Sequence, residues 1–134
     1  MDRLRVVLVD DMVELRAMIR LTLERSGHFA VVGDAGDGRA AIEVTAEAQP
    51  DIVLLDVSMP VMDGLEALPH LRRVSPESLV VMLSGFSEAR LGADAEAGGA
   101  AAYLEKGLAP QALVDRLLEI VRGCGRSTPS SPAG

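Results

Sequence analysis

Four consecutive apolar residues, Ile52-Val-Leu-Leu55, run directly into a carboxylate at Asp56. A run this short, with β-branched members and turn residues on its flanks, reads as a strand buried on both faces. Similar runs recur along the chain. Leu4–Val9 precedes Asp10-Asp11, Phe29–Val32 precedes Gly33, Leu79–Leu83 precedes Ser84-Gly85, and Ala100–Leu104 precedes Glu105-Lys106. Between these runs the apolar spacing becomes helical. Met12, Leu15, Ile19 and Leu23 mark a first helix that Gly27 stops, and Ala40 to Ala48 is a second. Leu65, Leu68 and Leu71 mark a third, which Pro69 is expected to kink or shorten. Ser87 can cap a fourth that runs through Gly98, and Pro110 suits the first turn of a fifth that ends at Gly123. Residues 34–38 read as a turn. Strands alternating with helices give an α/β fold, a parallel sheet covered on both faces.

In a parallel sheet every carboxyl end lies on one edge. The chain therefore brings Asp10, Asp11, Asp56, Ser84 and Lys106 towards one another. Carboxylates so close repel: a like pair at about 4 Å costs on the order of 4 kcal/mol at an effective dielectric near 20. The arrangement calls for a cation. Hard oxygen donors without Cys or His nearby point to Mg²⁺. A carboxylate beside Mg²⁺ and an ammonium is a competent phosphoryl acceptor, because both cations offset charge on the transferred group. Asp56 is the expected acceptor. Lys106 is the sole lysine among 13 basic residues, the others being arginine. A compact point charge at 106 differs from a broad guanidinium fork.

Composition excludes several classes. A formal charge of −7 repels phosphate backbones, and two Phe, one Tyr and no Trp leave no base-stacking platform. Direct nucleic-acid binding by this chain is not expected. No apolar run approaches the roughly 20 residues of a membrane span, and no signal-peptide pattern opens the chain. The single cysteine, Cys124, cannot form an internal disulfide. A cytoplasmic location is the expectation. Residues 1–123 read as one domain and 124–134, rich in Ser and Pro, as a flexible tail or linker stub.

The ordered set of strand-end residues resembles the receiver domain of bacterial two-component response regulators, over residues 3 to about 123. Asp10-Asp11 resembles the family's acidic pair and Asp56-Val-Ser-Met-Pro-Val-Met-Asp-Gly64 its phosphoacceptor loop. Ser84-Gly85, Tyr103 and Lys106 stand at its hydroxyl, switch-aromatic and lysine positions. The resemblance implies the flavodoxin-like (βα)5 fold with sheet order 2-1-3-4-5, an order that belongs to the family and is not read from the pattern. It implies phosphorylation of Asp56 by a histidine kinase or a small acyl phosphate. Asp11 and Asp56 would ligate Mg²⁺, Asp10 would do so through water, and Ser58 would add its backbone carbonyl. Lys106 and the Ser84 hydroxyl would hold the phosphoryl group. Tyr103 would turn into the space that Ser84 leaves, remodelling the surface of the fourth helix, fifth strand and last helix. The wording around Val32–Gly38 and Tyr103–Lys106 is similar to receivers that precede NarL-type helix-turn-helix domains, so such an output domain or another protein is the implied recipient. Where the family often has proline after the lysine, this chain has Gly107.

Blander readings stand beside these. Asp10-Asp11 could serve helix capping, and Asp63 reads as a cap in preference to a ligand. His28 and His70 read as structural or solvent-facing, and the methionines as packing. The segment Ser87–Gly99, with three glycines and no apolar side chain larger than Leu91, reads as the least stable helix. Two other functions use the same residues: an interaction module in which Asp56 is never phosphorylated, and a phosphatase with Asp56 as nucleophile. The second lacks an insertion large enough to cap a substrate.

Overall fold

The computed structural model describes residues 3–57, 59, 61–84 and 99–123. Five parallel strands form one sheet in the order β2-β1-β3-β4-β5. They are β1 (Leu4–Val9), β2 (Phe29–Ala35), β3 (Ile52–Asp56), β4 (Leu79–Ser84) and β5 (Ala102–Glu105). The described helices are α1 (Val13–Arg25), α2 (Gly38–Ala48), α3 (Gly64–Val74) and α4 (Pro110–Gly123). The helix expected over 87–98, Cys124 and the expected tail at 124–134 lie outside the described residues.

Side chains alternate across the sheet, as a strand's twofold period requires. Val6, Leu8, Ile52, Leu54, Val81, Leu83 and Leu104 point to one face and pack with α4 through Leu113, Leu117 and Val121. Val7, Val9, Val53, Leu55, Val80, Met82 and Tyr103 point to the other and pack with Ala67, Leu68 and Leu71 of α3. The sheet thus separates two apolar layers. Strand β3 is buried along its whole length and feeds both.

Strand β2 is longer than its apolar run. Gly33, Asp34 and Ala35 belong to the strand and not to a turn. The register explains this. Val6 pairs with Val31 and Val7 with Gly33, which leaves Val32 as an extra residue. That bulge moves the alternation to the other face. Val31 lies in the α4-side layer and Ala35, four residues on, in the α3-side layer. Gly33 faces α2 so closely that a Cβ would meet Val44 Cγ1 at 2.6 Å.

Helix ends follow local chemistry. Asp37 caps α2 by accepting from the Ala40 N–H at 2.8 Å, which starts that helix two residues before Ala40. Asp63 caps α3 in a reciprocal box with Glu66. The α3 helix runs past Pro69, whose ring lies on the exposed side. The α1 helix keeps its predicted apolar face at Leu15, Ile19 and Leu23, with Ile19 packed against the α4-side layer, and departs from it at Met12. Leu23 is its one buried residue, while Met12, Val13, Met18 and Leu21 are exposed. Five residues of α4 are buried by comparison. At roughly 1.5–3 kcal/mol for each fully buried large apolar side chain, α1 takes far less of its anchorage from the core.

Candidate functional site

The carboxyl edge of the sheet collects the groups expected there. Asp10 follows β1, Asp56 ends β3, and Lys106 follows β5. Carboxylate oxygens of Asp10, Asp11 and Asp56 lie within 4.8 Å of one another. Asp10 and Asp56 are 3% and 1% exposed, whereas Asp11 is on the surface. The Lys106 Nζ reaches Asp56 Oδ2 at 2.9 Å and Asp10 Oδ2 at 3.2 Å. Burial alone would lower the Lys106 pKa. The Asp56 and Asp10 carboxylates outweigh it and hold the ammonium above its usual value.

Asp10 is tied at every polar atom. Its N–H donates to the Ala35 carbonyl at 3.1 Å, and its carbonyl accepts from Arg16 Nη1 at 2.6 Å. Its Oδ1 accepts from the Met12 N–H at 2.9 Å, and its Oδ2 faces Lys106. Met12 is the N-cap residue of α1 and offers no side-chain cap of its own. The Asp10 carboxylate therefore takes part of the capping role that the sequence assigned to this acidic pair.

The loop behind Asp56 is shaped by close approach. The Val57 N–H donates to the Leu83 carbonyl, and the Gly64 N–H donates to the Val57 carbonyl at 2.8 Å. A Cβ on Gly64 would collide with the Asp56 carbonyl oxygen. Gly38 meets Met62 in the same way, and its N–H donates to the Met62 carbonyl at 3.0 Å. Helices α2 and α3 thus both press backbone against this loop. Val61 takes a φ of +68°, a conformation that a β-branched residue adopts only under constraint.

Three carboxylates and one ammonium leave the pocket a formal charge of −2. This donor set suits a hard divalent cation: oxygens on one surface-facing cluster, with no thiol or imidazole among them. The residues present fit Mg²⁺. The Ser58 carbonyl, expected to join the site, lies outside the described residues, and Ser84 is described by its backbone alone, at the end of β4. Tyr103 is buried in the α3-side layer, on β5 beside Met82. Asp63 is engaged in capping and stands apart from the acidic cluster, as do His28, which meets Phe29 edge-on, and His70. Gly107 has a φ of +121°, which favours glycine, although a Cβ there would meet nothing. Sequence reasoning missed Arg16. The only available signal was a guanidinium one helical turn after the acidic pair, which spacing alone does not separate from a surface arginine.

No helix among the described residues is long and apolar enough to cross a membrane. The sequence pattern of the response regulator receiver domain matches residues 6–118. The chain is 30% identical to the chemotaxis protein CheY of Thermotoga maritima over 116 residues, covering 87% of this chain and 96% of that protein. It is 38% identical to the response regulator UvrY of Escherichia coli over 120 residues, covering 90% of this chain but only 55% of UvrY. In fold it is similar to the signal receiver domain of NarL from Mycobacterium tuberculosis, with a TM-score of 0.86 at 33% identity over 92% of this chain and 99% of the other. Sheet order, strand-end residues and these likenesses agree, and the chain belongs to the response regulator receiver domain family of two-component signalling.

Proposed function

We propose that this chain is a Mg²⁺-dependent phosphoacceptor switch in which Asp56 receives a phosphoryl group from a histidine kinase or a small acyl phosphate. The observation that carries this reading is the 2.9 Å approach of the Lys106 ammonium to Asp56 inside a pocket with three carboxylates. An Asp56 carboxylate oxygen forms the new P–O bond. The donor's P–N bond to imidazole, or its P–O bond to an acyl oxygen, breaks, and the leaving group takes the electron pair. Lys106 offsets the charge of the transferred group and keeps it beside Asp56. Mg²⁺, held by Asp10, Asp11, Asp56 and the Ser58 carbonyl, would supply the remaining charge neutralisation. The phosphoryl group adds roughly −1.5 to −2 charges. The Ser84 hydroxyl bonds one of its oxygens, and Tyr103 turns in response. That changes the surface read by an output domain or protein, of which a helix-turn-helix domain is one form.

In this reading residues 1–123 are the working domain, 124–134 a linker or tail, and the cytoplasm its location. The chain acts as a switch and turns over no external substrate. Intact mass after incubation with Mg²⁺ and a small acyl phosphate tests it. One added phosphoryl group is expected, absent without Mg²⁺ and absent in Asp56→Asn. No gain by a folded chain that binds Mg²⁺ would overturn phosphorylation from such donors.

A further inference from the structure

We infer that Arg16 is a positioning residue for the cation pocket, setting the backbone that carries Asp10 and Asp11 through bonds that no ligand makes. The inference rests on the Mg²⁺ site proposed above. Arg16 lies in the first turns of α1, and its side chain is 19% exposed. Its Nη1 donates to the Asp10 carbonyl at 2.6 Å and to the Ala35 carbonyl at 3.3 Å. The same Ala35 carbonyl accepts the Asp10 N–H at 3.1 Å. One guanidinium nitrogen therefore joins the ends of β1 and β2. On its other side, Nε lies 3.6 Å from Asp34 Oδ2, a carboxylate shared with Arg20 at 3.5 Å.

This knot matters because of what surrounds it. The peptide from Asp10 to Met12 carries two of the three pocket carboxylates, and the helix that follows has a single buried residue. Core packing fixes that helix weakly, so polar bonds to its first turns decide where the two carboxylates stand. The bulge at Val32 brings Ala35 to this edge, so β2 enters the site's support through the Ala35 carbonyl. Arginine as such says little in a chain with one lysine. The geometry distinguishes this position: a planar fork spans two carbonyls and a carboxylate, which a compact ammonium cannot do at once. Groups that orient ligands typically change metal affinity about 10- to 100-fold when removed.

The test is calorimetric Mg²⁺ titration of the full chain, Arg16→Met, Arg16→Lys and Asp34→Asn, with thermal unfolding of each without metal. Arg16→Met is expected to bind Mg²⁺ about 10-fold more weakly, and Arg16→Lys to fall between it and the unaltered chain. Asp34→Asn leaves both carbonyl bonds in place and should stay within about twofold of the unaltered chain. A merely structural role would lower the unfolding temperature without moving the affinity. A folded Arg16→Met with unchanged affinity overturns the inference and leaves the proposed function standing. An equal loss in Asp34→Asn overturns it too, since charge and not the carbonyl bonds would then be responsible. Absence of Mg²⁺ binding by the unaltered chain overturns both readings. Where Arg16→Met fails to fold, Arg16→Lys decides: weakened binding supports the inference and unchanged binding ends it.

Discussion

Lys106 and Asp56 meet at 2.9 Å across the carboxyl edge of the sheet, the ammonium end of one strand against the carboxylate end of another. The lysine also faces Asp10, so a single cation serves two buried carboxylates. Its pKa is raised in the folded chain. A raised pKa stabilises the fold fully at pH values below the unfolded-state value, about 10.4 for lysine. The contribution fades as pH climbs through the higher folded-state value. Urea unfolding between pH 9 and roughly 12 should show this loss in the unaltered chain. Lys106→Met should be less stable at neutral pH by about 3 kcal/mol, the lower end for breaking a buried pair because the lysine reaches water. It should lack this alkaline component, and the difference between the two chains isolates the contribution of Lys106.

Without metal, the three carboxylates repel one another across a pocket of charge −2. Asp11 is the exposed member and does not face Lys106 in the way Asp10 and Asp56 do. Asp11→Asn should raise the metal-free unfolding temperature by roughly 2–4 °C, about 0.5–1 kcal/mol in a domain of this size. Added Mg²⁺ should then stabilise the variant much less than the unaltered chain. Thermal scans with and without Mg²⁺ check both signs; a lower metal-free midpoint would contradict the repulsion argument.

Gly64 is needed for space. A methyl there meets the Asp56 carbonyl oxygen, a backbone atom that cannot rotate away. Gly64→Ala should destabilise by about 1–3 kcal/mol and displace the end of β3. Chemical denaturation reads the first effect. Amide shifts of Asp56 and Val57 in NMR spectra read the second.

Val61 is the reverse case. It is 78% exposed, so its side chain gains little from packing, yet it holds a φ of +68°. Left-handed backbone costs a β-branched residue roughly 1–2 kcal/mol. Val61→Gly removes that strain and loses about 0.5–1 kcal/mol to chain entropy. A small net gain in denaturation midpoint is expected. A clear loss would mean that the valine side chain has contacts of its own in the loop.

Much of this was legible beforehand because buried parallel strands carry unbroken apolar runs. Ile52–Leu55 and Leu79–Leu83 could be read as strands without knowing their neighbours, and their terminal residues then fell on one edge. Asp63 could be read as a cap from Glu66 three residues on. The end of β2 was not legible, since Gly33 and Asp34 are turn formers held in a strand by pairing with Val7 and Leu8. The α1 face was legible at Leu15, Ile19 and Leu23 but its depth of burial was not, because helical spacing does not say how much of a face the sheet will cover. Arg16 was invisible for a related reason: its partners are carbonyls, which every residue has, and topology alone chooses among them.

The two apolar layers have a mechanical consequence. Ile52 and Leu54 are set in one layer, Val53, Leu55 and Val57 in the other, and Asp56 stands between the last two of these. A pull on that carboxylate cannot be absorbed by one layer while the other stays still. A displacement of the strand's end would therefore bear on helices on both sides of the sheet at once.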